Sequence, residues 1–167
     1  MSDEEMGEMI TTAERAGEVT FSAPARPMLI KAAAGLPYLV GLVGQHATLL
    51  AIEGGETTIA PAHLVKAVDL AREEVASRLS PQCHLALSQA HASSDGVVIF
   101  DAAREAIRSG GIISDEGVRA RLQAQPALHG TLLEPIPGDP RGGWHFCEDG
   151  ASNLVWLEEI AAELGRQ

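Results

Sequence analysis

Six histidines and two cysteines are the residues of this chain best suited to hold a metal or to attack a substrate. Their spacing gives neither chemistry a frame. His84 and His91 lie seven residues apart on one predicted helix, whereas a helical zinc site needs an i, i+4 pair. His145 and Cys147 share a face of a predicted strand, with no second pair beside them. Cys83 and Cys147 are too few and too far apart for a disulfide framework or a zinc cluster, and they read as two reduced thiols. No Gly-x-Ser-x-Gly elbow offers a serine nucleophile. Glu148 and Asp149 point to opposite faces of a strand, and Glu158-Glu159 reads as a solvated helix face. Phosphate chemistry is equally unsupported. Lys31 is followed by Ala32 and Lys66 by Ala67, so no Gly-rich loop ends in Lys-Ser or Lys-Thr. Val98-Ile99-Phe100-Asp101 imitates a magnesium-holding strand end, but Ala102-Ala103 follows, and Asp101 is expected to cap a helix. The sequence therefore assigns no catalytic residue, metal ligand or cofactor to this chain, and the chain alone is not expected to be an enzyme.

The remaining chemistry is charge. Ser114–Gln125 predicts a helix that projects Arg119, Arg121, Gln123 and Gln125, and Arg141 sits at the tip of a predicted β-turn. Such a helix could read base edges in a major groove while Arg141 touches phosphate. Asp115, Glu116 and Asp139 work against it. The formal charge is −11 and lysines are confined to Lys31 and Lys66. Both halves of the chain are acidic, and an acidic surface repels phosphate backbones at long range. DNA contact and protein docking both stay open as uses of this surface.

The elements that carry these residues follow from period and caps. Aromatic residues make up 4% and hydrophobic residues 46% of the chain, so the core must be aliphatic. Ser2 with Glu5 is a capping-box pattern opening a helix to about Arg15. Ser22 and Pro24 open a second helix, ended by Gly35. Leu36-Pro37 starts a third, to about Ile52, apolar over much of its circumference and expected to be central. Gly41 and Gly44 within it suggest close contact with a neighbouring backbone. Gly54-Gly55 breaks it, and Pro61 opens a fourth, with Leu64, Val65, Val68, Leu70 and Ala71 inward. From Ser80 the pattern changes: a helix to Ala92, a turn over residues 93–96, a strand at Val97–Phe100, short helices after Asp101 and Ser114, a hairpin of Thr131–Ile136 with Gly143–Cys147, and a closing helix over Asn153–Leu164. The predicted fold is mainly α with a small β component, in two domains, 1–78 and 79–167. Neither a signal peptide nor a membrane-spanning stretch is legible, so a cytoplasmic protein without membrane partners is expected.

The first half resembles the helical lid of origin-recognition-type and related prokaryotic AAA+ ATPases. The resemblance is carried by MSDEEM at the start, Ala34-Gly35-Leu36-Pro37-Tyr38, His46-Ala47, and Thr58-Ile59 leading to His63-Leu64-Val65-x-Ala67-Val68. The second half is similar to the winged-helix domain that often follows such lids, through Gly96-Val97-Val98 and Trp144-His145-Phe146. The resemblance implies a four-helix lid bundle followed by a winged helix. It also implies contact of Gly35, Leu36, Pro37 and Tyr38 with nucleotide, and a parent ATPase using ATP and magnesium whose nucleotide-binding core lies outside these residues. Family lids place a sensor arginine at the start of the third helix, where this chain has Leu36-Pro37-Tyr38. The expected role is a non-catalytic, nucleotide-responsive module that binds DNA or a protein partner. The alternative is a stand-alone winged-helix transcription regulator with a helical dimerisation domain.

Overall fold

The computed structural model describes residues 1–93 and 95–166. It is mainly helical with a small strand component, and it divides into two compact units, Met1–Glu73 with Leu157–Gln167, and Glu74–Trp156.

In the first unit, α1 (Asp3–Gly17) opens on a reciprocal cap. Ser2 Oγ accepts from the Glu5 amide at 3.2 Å, and the Glu5 carboxylate accepts from the Ser2 amide at 2.7 Å. Strand β1 (Thr20–Phe21) follows, then α2 (Ala25–Ala33), α3 (Pro37–Glu53), β2 (Thr58–Ile59) and α4 (Pro61–Ser77), whose last turn belongs to the second unit. Ser22 does not cap α2; Pro24 stands at the cap with no side-chain bond. The two strands escape a reading by period because each has only two residues. They pair in parallel, Thr20 opposite Thr58 and Phe21 opposite Ile59, so the segment before α2 is fixed to the segment before α4. Phe21 and Ile59 point inward.

Met6, Ile10, Leu29, Leu39, Val43, Ala47, Leu64 and Val68 fill this unit's core. Alanines at 25, 32, 33, 47, 51, 67 and 71 are also buried, so the aromatic-poor core closes through small residues. Leu70, expected inward, is exposed, because it lies off the 64–67–68–71 stripe. His63 Nδ1 accepts from the Ala60 amide at 3.0 Å and so caps α4. Glu14 performs a similar service at longer range: it accepts from the Phe21 amide at 2.8 Å and from Arg26 at 3.0 Å.

The second unit holds α5 (Pro81–His91), α6 (Gly96–Arg108), α7 (Glu116–Gln123), a 3-10 turn (Pro126–Leu128), β3 (Leu133–Pro135), β4 (Trp144–Phe146) and the first turns of α8 (Ala151–Gly165). The turn expected over residues 93–96 includes Ser94, which lies outside the described residues. The strand expected at Val97–Phe100 is helical. Three β-branched residues suggested extended backbone, but Val98, Ile99, Ala102, Ala103, Ala106 and Ile107 bury one continuous face at helical period. Asp101 is consequently inside a helix and caps nothing. Asp115, not Ser114, caps α7 by accepting from the Val118 amide at 2.9 Å. The hairpin forms with Leu133 opposite Phe146 and Pro135 opposite Trp144. Ile113 adds a single antiparallel bridge to Trp144. Phe100 stacks on Trp156 with ring centres 6.0 Å apart.

Replacing Glu14 with alanine removes two charge-assisted hydrogen bonds and leaves the Phe21 amide without its acceptor. The expected loss is about 1.5–3 kcal/mol of unfolding free energy by urea denaturation.

Candidate functional site

The chain between α2 and α3 turns sharply. Ala34 is left-handed at φ +50°, and Gly35 follows at φ +83°. A β-carbon on Gly35 would also stand 3.0 Å from the Met1 carbonyl oxygen, so glycine is required by both conformation and space. Leu36 then caps α3 with extended backbone and no side-chain hydrogen bond, and Pro37 occupies the first turn. Tyr38 is 42% exposed. Gly35, Leu36, Pro37 and Tyr38 therefore form one partly open edge at the start of α3. It offers an aromatic side chain and a helix N-terminus without a side-chain cap. No basic side chain is part of it. Among the described residues no group of three or more histidine, cysteine, aspartate or glutamate side chains could hold a metal ion.

The second set of expected residues is arranged around the hairpin tip. Asp139 accepts from the Gly143 amide at 2.8 Å and from the Arg141 amide at 3.2 Å. Those two backbone bonds, with Arg141 and Arg119 nearby, hold its carboxyl below the usual range. A β-carbon on Gly143 would lie 2.5 Å from the Asp139 carboxylate, so the turn closes only over glycine. Arg119 Nη1 donates to the Arg141 carbonyl at 2.7 Å and to the Gly142 carbonyl at 3.1 Å. It thus ties α7 to the hairpin tip. Arg121 pairs with Asp101 of α6 at 2.8 Å. Of the residues expected to read DNA, Arg119 and Arg121 are committed to their own chain. Gln123 is exposed, and the Arg141 side chain is 72% exposed, with Asp139 3.8 Å away.

Two exposed cations outside that set are Arg104 and Arg108, one turn apart on α6. With Arg121, Ser109, Asp101, Glu105 and Asp115 they line a polar recess of about 420 Å³. Its carboxylates are engaged: Asp101 with Arg121, Asp115 with the α7 cap, and Glu105 with the Ser114 and Asp115 amides at 2.7 and 2.6 Å. The signal is in the sequence as an i, i+4 pair of arginines, which falls within the helix expected after Asp101.

His84, His129 and His145 make contacts within their own chain. The His84 ring bonds the Ala76 carbonyl at 2.7 Å, and the His129 ring bonds the Leu122 carbonyl at 2.9 Å while meeting Trp144 edge-on. His145 faces Glu134 across the hairpin at 3.1 Å. Burial, reinforced by the Glu148 carboxylate and by Cys147, pushes the Cys83 thiol up to about 11, and burial raises Cys147 as well. Thiols shifted in that direction are poor nucleophiles at neutral pH. Among the described residues no helix is long and apolar enough to cross a membrane. No known protein family, curated protein or solved structure matches this chain.

Because the Asp139 carboxyl is depressed by its partners in the folded hairpin, the stability it contributes is complete above its ordinary value of 3.8 and is lost as pH falls through the lower folded value. Titrating from pH 6 to about 2, the Gly143 amide resonance should shift with that depressed midpoint, and in Asp139→Ala the shift should vanish.

Proposed function

We propose that this chain is the helical lid and winged-helix part of an AAA+ ATPase, closing over nucleotide held by a core outside these 167 residues and carrying a surface for DNA or a protein partner. The observation that carries the reading is the join between α2 and α3. Gly35 through Tyr38 present an exposed aromatic side chain beside a helix start with no side-chain cap, and a base can stack on that ring. The parallel β1–β2 pairing, which ties the segment before α2 to the segment before α4, is consistent with a compact helical lid.

ATP and magnesium belong, in this reading, to the complete ATPase. With no phosphate cradle and no arginine at the start of α3, this chain takes part in binding the base and does not catalyse hydrolysis. For the second unit, helices followed by a two-stranded hairpin support the winged-helix reading. Where such an arrangement uses an extra strand, Ile113 makes one antiparallel bridge to Trp144, and Val97–Phe100 is helical. Its partner-facing cations are then Arg104, Arg108 and Arg141, with Arg119 acting as the brace of the wing.

Calorimetric titration of ATP into the isolated chain should give no heat of specific binding; micromolar affinity would overturn the assignment of the cradle to a separate core. Anisotropy of random duplex DNA at low salt should separate the two kinds of arginine. Replacing Arg104 and Arg108 with alanine should weaken binding across all sequences and reduce the salt slope by about two. Arg121→Ala should change it little. An Arg104/Arg108 variant that binds DNA as well as the parent would exclude α6 as the contact surface, and no binding at low salt would leave the protein-docking role.

A further inference from the structure

Gly41 and Gly44 sit in the middle of α3, where glycine is among the poorest helix formers. The fold gives them no internal reason. A β-carbon at Gly41 would meet nothing within 4 Å, and one at Gly44 would meet only the Leu29 side chain, at 3.7 Å. The close backbone neighbour expected for them is absent among the described residues of the chain itself. Instead both line an open groove of about 270 Å³ between α1 and α3. Leu29 forms part of its floor, and Met9, Ala13 and Leu49 form its walls. Met9 is 37% and Leu49 47% exposed, and Ile52, one turn beyond, is 54% exposed. The residues lining the groove include no charged side chain.

The charges beside the groove share one sign. Glu5, whose carboxylate also accepts from the Ser2 amide, precedes Met9 by four residues on α1, and Glu53 follows Leu49 by four on α3. Residues four apart are neighbours on a helix surface, so these carboxylates flank the two ends of the apolar strip. Both are exposed. α3 contains neither lysine nor arginine, and Arg15 is the only basic residue of α1. Of the cations on α2, Arg26 is held by Glu14, Thr11 and the Gly7 carbonyl, and Lys31 is paired with Glu163.

We propose that this groove is a docking site for a short amphipathic helix of a partner protein, apolar on one face and flanked by lysine or arginine. The two glycines let that helix approach the α3 backbone closely, and Glu5 and Glu53 select its basic flanks. The lining of α3 from Val40 to Leu49 extends about 14 Å, which matches roughly three turns of helix. This inference is independent of the ATPase reading, since it uses neither nucleotide nor the second unit.

The test uses the full chain and a fluorescent synthetic peptide of roughly three turns, with a leucine face and lysine flanks, beside a twin carrying glutamate in place of each lysine. Anisotropy should show the lysine peptide binding, weakening with added salt, and preferred over its twin by at least about tenfold. Gly41→Leu fills the groove at a position where the free chain has space, so its thermal melt should be unchanged or higher while peptide affinity falls by about tenfold or more. Leu49→Glu, at an exposed position, should reduce affinity similarly and supplies the second variant. Failure of the lysine peptide to bind, equal binding of the two peptides, or unchanged affinity in both variants would each overturn the proposal. So would sedimentation showing a dimer that Gly41→Leu dissociates, because the occupant would then be a second copy.

Discussion

Loops in this protein are held by carboxylates that accept backbone amides. A loop amide taken out of water needs an acceptor, and a charged acceptor makes the stronger bond. Glu14 holds Phe21 and so fixes β1; Glu148 accepts from the Ser80 amide at 2.8 Å and from its hydroxyl, and so sets the start of α5. Glu105 gathers the amides of Ser114 and Asp115 ahead of α7, and Asp139 closes the hairpin tip. With few aromatic residues to wedge elements apart, helices of small side chains pack closely, and the connections between them carry the geometry. The α7 cap and the hairpin tip rest on this one kind of bond, and the β1–β2 pair adds it to its own backbone bonds, the Thr20 amide to the Thr57 carbonyl and the Ser22 amide to the Ile59 carbonyl.

That pattern changes the meaning of the acidic composition. Part of the charge of −11 is engaged with the chain's own peptide groups, and part flanks the apolar groove on α1 and α3. Basic residues show the same division of labour. Arg26, Arg119 and Arg121 are engaged with their own chain, and Arg104 and Arg108 stand out on α6. Net charge alone gives a bound on partners; the pairing of individual groups decides which surface can meet one.

The helices of the first unit were legible because each carried its own local signal: the Ser2–Glu5 cap, Pro37 and Pro61 at helix starts, and an apolar stripe at the right period. The β1–β2 pair was not, since two-residue strands have no period to read and their pairing joins segments far apart in sequence. Val97–Phe100 misled for the opposite reason: β-branched residues carry a strand preference, yet the buried face continuing to Ile107 outweighs it. The turn at Gly35–Tyr38 was readable from Gly-Leu-Pro. The commitment of Arg119 and Arg121 was not, because their partners, the carbonyls of Arg141 and Gly142 and the Asp101 carboxylate, come from other elements. The openness around Gly41 and Gly44 likewise depends on what fails to pack against them, which no local pattern records.

The position of Arg119 bears on how genetic data for such a protein should be interpreted. One guanidinium bridges the helix and two successive peptide carbonyls of the β-turn, so its loss would disorganise a whole loop without removing any contact to an outside molecule. A phenotype mapped to codon 119 would thus mimic a recognition defect while originating in architecture.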